Sequence, residues 1–330
     1  MSLKSTLRGL RNRLPRNTFF CVLSGIATYV PGLYNAFFEA CTAEATRYCY
    51  AIWLRHLVFA HSQGFDTNPI AIAELGPGNS LGPGLAGLLC GANRLYCLDV
   101  VNNLDTKRNL SILDQLVELL KKQERIPDEN EFPGMLPVLD CYDFPSQILT
   151  PKRLTANLRS ERLEDIRAAL KAEDTTGDIQ IKYYCPWYDS TVIQRESCDL
   201  VYSQYVLEHV DDLEKIYSAL ALWIKHGGYS SHVIDFSSHN LTEHWNGHWR
   251  FGDFTWKLIC GKKPYLLNRY PCSKHLELLA KNGFKVVAVS RKTEVSVLMR
   301  EDLAKKFRTI SESDLLTRRV HIVASKCAVD

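Results

Sequence analysis

Ala73-Glu74-Leu75-Gly76-Pro77-Gly78-Asn79-Ser80-Leu81 is the stretch on which the reading of this chain turns. It closes an apolar run over residues 70–75, so a strand enters directly into a turn carrying two glycines. Such a turn lets backbone amides come close to a bound ligand, because no Cβ stands in the way. Two neighbours narrow the ligand. Loops that bind dinucleotides place a third glycine where this chain has Leu81. Glu74 sets a carboxylate two residues before the first glycine, where it would repel a pyrophosphate but tolerate a cationic amine or sulfonium. Asp99 stands 21 residues beyond Gly78, at the end of a second apolar run over 94–100, and is placed to accept both hydroxyls of a ribose.

Working outward, short apolar runs alternate with amphipathic stretches. Strands are expected at 179–184, 199–203, 229–236, 284–290 and 319–324, and helices at 45–64, 85–90, 110–122, 163–171, 213–224 and 273–282. Alternation of this kind predicts an α/β fold: a parallel sheet covered by helices on both faces. The last two strands have no clear crossover helix between them, which predicts an antiparallel final strand. The interval 102–178 is longer than one crossover needs, and reads as a helical insertion forming a lid.

Glu74-x-Gly76-x-Gly78 followed by Asp99 resembles the first two motifs of class I (Rossmann-like) methyltransferases that use S-adenosylmethionine (SAM). Asp199-Leu-Val-Tyr-Ser203-Gln204-Tyr-Val-Leu-Glu208-His209-Val is similar to their fourth-strand signature, and Lys225-His226-Gly227-Gly228 to the turn before their fifth strand. The resemblance covers about residues 70–101 and 179–326, and within the superfamily it looks most like bacterial enzymes that methylate small molecules or sugars. It implies a three-layer sandwich around a seven-stranded sheet with an antiparallel last strand. It also implies SAM as cofactor, with Glu74, Gly76, Gly78 and Ser80 at the methionine end, Asp99 and Val100 at the ribose, and Ser203 and Gln204 under the sulfonium. One departure concerns adenine: after the third strand the family has an acidic residue, where this chain has Trp187 and Tyr188. An aromatic face would meet adenine there, or Asp189 would supply the carboxylate if the loop is shifted.

Ligands of open α/β sheets lie beyond the carboxyl ends of the strands. That singles out Glu208, His209, Asp235 and His239 as groups beside the reactive methyl, with Asp235 first and His239 and His209 next as those able to orient or deprotonate an acceptor hydroxyl. Residues 236–275 form a stretch rich in aromatics and histidines, expected to line a small-molecule or sugar acceptor. Asp235, His239, His244 and His248 stand at spacings of 4, 5 and 4, which match no familiar ligand pattern, so no metal is expected. The resulting expectation is O-methylation of a small molecule or glycan precursor. The alternatives are a lipid acceptor at a membrane surface, or a scaffold protein without activity.

Composition agrees with an ordinary globular protein: 46% hydrophobic and 23% charged over 330 residues. A net charge of +3, without a long basic run, argues against a nucleic-acid partner. The 11 cysteines form no C-x-x-C pair and read as free thiols of a reducing, cytoplasmic compartment. Residues 1–66 read as an N-terminal helical cap on a domain spanning 67–330. The basic start, 1–16, offers peripheral contact with the inner membrane face as the alternative.

Overall fold

The computed structural model describes residues 18–29, 46–172, 177–263 and 266–327. Expectations for residues 1–16 lie outside the described residues. Seven strands form one sheet in the order β3-β2-β1-β4-β5-β7-β6. They are β1 (Ala71–Leu75), β2 (Arg94–Leu98), β3 (Gln180–Tyr184), β4 (Cys198–Gln204), β5 (Ile224–Asp235), β6 (Phe284–Thr293) and β7 (Thr317–Lys326). The first five pair in parallel, and β7 runs antiparallel to both β5 and β6. The expected three-layer α/β sandwich with an antiparallel final strand is what the chain forms.

The central strand shows why. All five residues of β1 are buried, as expected for a parallel strand with both faces covered. Its start is locked to β4, because Asp199 Oδ2 accepts from the backbone N–H groups of Ile70 (2.9 Å) and Ala71 (2.8 Å). With that register the strand order reverses between β1 and β4, and their carboxyl ends, Leu75 and Gln204, open a crevice.

Helices cover the two faces unequally. Against one face lie α2 (Thr46–Ser62), α3 (Gly82–Leu89), α4 (Thr106–Lys121), α5 (Pro151–Asn157) and α6 (Ser160–Lys171), packed with Ile72, Leu95 and Leu200. Against the other lie α7 (Leu213–Trp223) and α9 (Cys272–Lys281), packed with Ala73, Val201 and Ile234. Local chemistry starts these helices: Asp105 caps α4 by accepting from Arg108 N, and Asp212 caps α7 by accepting from Lys215 N.

The helix at 46–62 packs on the sheet through Tyr50, Trp53, Leu54 and Leu57, which sit in the main core. Within 102–178, two helices pack on the sheet. The apolar faces of α4 (Ile112, Leu116, Leu120) and α6 (Leu163, Ile166, Leu170) belong to that same core, so both serve as crossover helices between β2 and β3. A helix periodicity shows that one face is buried, but not against what. Before them in the chain, α1 (Thr18–Ala27) packs on α8 (Asp253–Cys260). Among the described residues, no helix is long and apolar enough to cross a membrane. The described cysteines are all free thiols.

Candidate active site

The glycine turn lies at the reversal point of the strand order. Gly76 has φ +62 and Gly78 has φ +65, a left-handed backbone that side chains with a Cβ resist. The two are not equivalent. A Cβ on Gly76 would stand 2.6 Å from Val206 Cγ2, in the turn after β4, whereas a Cβ on Gly78 would meet nothing within 4 Å. Gly76 is therefore a packing glycine, and Gly78 faces open space in which a ligand can rest on backbone. The turn is held from outside by α4: Asn109 Oδ1 accepts from Leu81 N (2.9 Å) and Arg108 donates to the Asn79 carbonyl (3.2 Å). Asn109 carries no recognisable signal in the sequence, because its role exists only once α4 lies against the turn.

Asp99 closes the second side. Its Oδ2 accepts from Gly78 N (3.0 Å) and its Oδ1 from Val100 N (2.7 Å) and Val101 N (3.2 Å). A carboxylate has about four acceptor sites, so it joins the turn to the end of β2 and retains capacity for a ribose hydroxyl. Glu74 and Ser80 sit below the turn rather than in the crevice. Glu74 is 4% exposed, accepts from Tyr202 Oη (2.9 Å), and has a pKa raised to about 8 by burial. Ser80 accepts from Gly82 N (2.9 Å) at the start of α3 and touches Cys49 Sγ. Direct contact of Ser80 with a cofactor is thus replaced by support of the turn.

Other expected contacts also change place. Trp187 is buried against Trp223, with ring centroids 5.2 Å apart, so it belongs to the core. Its neighbour Tyr188 is 63% exposed and presents the free ring. Asp189 caps a short turn by accepting from Thr191 N and Thr191 Oγ1. Ser203 is fully buried and bonds His232 Nδ1 (2.8 Å) on the sheet face away from α2. Gln204 bonds His56 Nε2 (3.1 Å) from α2, and donates to the Leu136 carbonyl (3.3 Å).

That last bond shows how the irregular part of 122–150 reaches the crevice. Arg55 donates to Met135 O (2.7 Å), Gln204 to Leu136 O, and Arg319 to Gly134 O (3.0 Å). Three side chains from α2, β4 and β7 thereby pin one short segment over the strand ends.

Beyond β4 and β5 the expected polar residues do converge. Tyr205 has φ +58, a conformation rare for a bulky side chain, and its ring lies 5.7 Å from the Arg319 guanidinium. The chain then makes a tight turn, Leu207–His209, braced by Asn268, whose Nδ2 donates to Leu207 O (2.7 Å) and Val210 O (2.8 Å). This turn sets the His209 ring 5.0 Å from that of His239. His239 and Asn240 both have left-handed backbone, with φ +47 and +63, which turns His239 back toward His209. Desolvation by the groups packed around the ring pushes the His239 pKa below its usual value, although the residue keeps an exposed edge.

Asp235 is differently placed. It accepts from Arg319 Nε (2.8 Å) and Ser237 N (2.8 Å). Burial raises its pKa, but Arg319 and Ser237 outweigh that and leave it below the ordinary carboxylate range. An ion-paired carboxylate of this kind is a poor base and a good anchor. Arg319 and Tyr205 carry no mark in the sequence that points to a site, and Arg319 lies 84 residues from its partner Asp235.

The crowd of histidines and aromatics over 236–275 divides. His248, Trp249 and His275 are at most 2% exposed: Trp249 Nε1 donates to Arg269 O (3.1 Å) and Tyr217 Oη bonds His275 Nδ1 (2.9 Å). Arg269 stacks over Trp256 at 4.6 Å and pairs with Asp253. These residues build a core beside the crevice, whereas His239 lies against His209.

Residues 154–231 match a family profile described as a methyltransferase domain, Methyltransf_11. No curated protein matches the chain. Among solved structures, the chain is similar to a SAM-dependent methyltransferase assigned in Listeria monocytogenes (12% identity, TM-score 0.41, covering 83% of this chain and 99% of that one). It is also similar to phosphoethanolamine N-methyltransferase 2 from Haemonchus contortus, solved with SAM (12%, 0.41, 86% and 58%). A third is geranyl diphosphate C-methyltransferase from Streptomyces coelicolor A3(2), solved with S-adenosylhomocysteine, Mg2+ and geranyl diphosphate (10%, 0.41, 87% and 86%). The matched stretch and the strand order together support a SAM-dependent methyltransferase.

Proposed function

We propose that the protein transfers a methyl group from SAM to an oxygen of a small, hydroxyl-bearing acceptor, a sugar or glycan precursor being the class favoured. The observation that carries the cofactor half is the contrast between the two glycines: Gly78 leaves open space above a left-handed turn whose neighbour Asp99 retains acceptor capacity. When bound, SAM supplies a methyl carbon that the acceptor oxygen attacks in line as the carbon–sulfur bond breaks. The chain's own residues do the remaining work. Asp99 and the Val100 backbone orient the ribose, the Gly76–Gly78 turn carries the methionine end, and Tyr188 offers its exposed ring to adenine.

The acceptor half rests on the His209–His239 pair at the mouth of the crevice. A neutral imidazole there accepts the hydroxyl proton as the new bond forms. Asp235, favoured from the sequence as the base, instead holds Arg319, which positions the segment around Gly134 at the acceptor's side. Calorimetric titration with S-adenosylhomocysteine tests the cofactor half. Micromolar binding, on the order of −8 kcal/mol, is expected in the wild type and should weaken in Asp99→Ala. A folded wild type that binds none would remove the reading.

A further inference from the structure

Glu208, His209 and His239 each offer a ligand atom, and these atoms all lie within 4.8 Å of one another. Among the described residues this is the one such group of three. Glu208 is 3% exposed, and its Oε2 has no hydrogen-bond partner; Oε1 accepts from Asp235 N at 3.3 Å. A buried carboxylate oxygen without a partner costs free energy unless a proton or a metal cation joins it. The nearest fixed cation does not fill that role, because Arg319 is committed to Asp235 and the Gly134 carbonyl. The turn bearing Glu208 and His209 is rigid, braced by Asn268, and His239 is held opposite by a left-handed backbone.

We infer that Glu208, His209 and His239 form a binding site for a first-row divalent transition metal. Two imidazoles and one carboxylate suit Zn2+, Co2+, Mn2+ or Fe2+ better than Mg2+ or Ca2+, which take oxygen ligands. Around a tetrahedral ion with bonds of about 2.1 Å, ligand atoms stand about 3.4 Å apart. The observed atoms lie within 4.8 Å of one another, so an ion would draw the three side chains somewhat closer. Three protein ligands leave at least one coordination position free. A position of this kind suits an oxygen donor such as a hydroxyl. The ion site rests on these side chains alone. Its use in binding the acceptor rests on the methyltransferase reading, and there the two imidazoles would act through the metal rather than as free bases.

The set spans positions 208 to 239 and joins the ends of two neighbouring parallel strands, so no local spacing in the sequence announces it. The spacing of Asp235, His239, His244 and His248 points elsewhere, since His248 is buried beside the crevice and Asp235 is engaged by Arg319.

The test uses the full chain, stripped with a chelator and titrated with Co2+ and Zn2+ alone. The expected result is one ion per chain, with the visible absorption of Co2+ bound to nitrogen and oxygen ligands. Affinity should fall by more than about tenfold, the loss that even outer-shell changes cause, in both Glu208→Gln and His239→Ala. His244→Ala, a change in the same loop outside the set, should retain the site. S-adenosylhomocysteine titration of the same preparations reports on the cofactor reading separately. No uptake by a wild type that binds S-adenosylhomocysteine would overturn the metal site and leave the methyltransferase reading intact. Uptake unchanged in both variants would overturn it as well.

Discussion

Arg319 donates its Nε to Asp235 at 2.8 Å, so the last strand of the sheet grips the end of the strand beside it. The same guanidinium reaches Gly134 O, and three segments far apart in the chain meet at one side chain. Asp235→Asn would leave this cation, three-quarters buried, without its anion. The expected loss of stability is about 3 kcal/mol, read as a lower urea midpoint with an unchanged slope. Arg319→Lys keeps the charge but loses the fork that reaches both partners. It should lower turnover by about tenfold to a hundredfold through misplacement of the 134–137 segment, while the affinity for S-adenosylhomocysteine stays as it was.

The two glycines of the turn should separate stability from binding. Gly76→Ala forces a Cβ to within 2.6 Å of Val206 at φ +62, and should cost about 2 kcal/mol or more in a thermal or urea melt. Gly78→Ala meets no atom and should cost only about 1 kcal/mol for its left-handed backbone. If its open side is where the ligand lies, Gly78→Ala still abolishes S-adenosylhomocysteine binding. A Gly78→Ala protein with undiminished affinity would place the cofactor elsewhere.

Glu74 gives a pH signature of unusual sign. Its folded pKa is raised from 4.5 to about 8 by burial, so the unfolded chain loses its proton first as pH rises. The stability it contributes is present below pH 4.5 and declines between pH 4.5 and about 8. Glu74→Gln removes that decline, and its melting temperature should exceed the wild type's at pH 8 and converge with it at pH 5. Equal offsets at both pH values would show that the Glu74 carboxyl is ionised in the folded protein.

Buried histidines act in the opposite direction. Burial lowers the pKa of His56 from 6.5 to about 4, and of His232, His248 and His275 from 6.5 to about 3. The unfolded chain takes up these protons first, so stability is complete above pH 6.5 and is lost as pH falls toward 4. Each histidine contributes a slope of up to about 1.4 kcal/mol per pH unit in that window. His275→Phe or His232→Asn should flatten the acid limb of a stability–pH curve measured by urea unfolding. An acid limb unchanged in both variants would mean that these rings are already charged in the native state.

Much of this architecture is legible in the chain because its signals are local. A strand that ends in Gly76-Pro77-Gly78, an aspartate at the end of the next strand, and the apolar stripes of α4 and α7 are each written within a few turns of backbone. They depend on steric rules for glycine and on the helical and strand periods, which hold wherever the segment is placed. The strand alternation and the antiparallel end of the sheet follow from them. What the sequence left undecided is which side of each element faces a ligand. Trp187, Ser80 and Ser203 have residue types suited to a site, yet packing puts them in the core. Asn109 and Arg319 carry no local mark, and join the site only because α4 lies against the glycine turn and β7 lies beside β5. The turn and its acidic neighbours were therefore determined by sequence alone. The pairing of Asp235 with Arg319 and the meeting of Glu208 with His239 were decided by tertiary structure, since charge pairing and burial depend on distance in space and not along the chain.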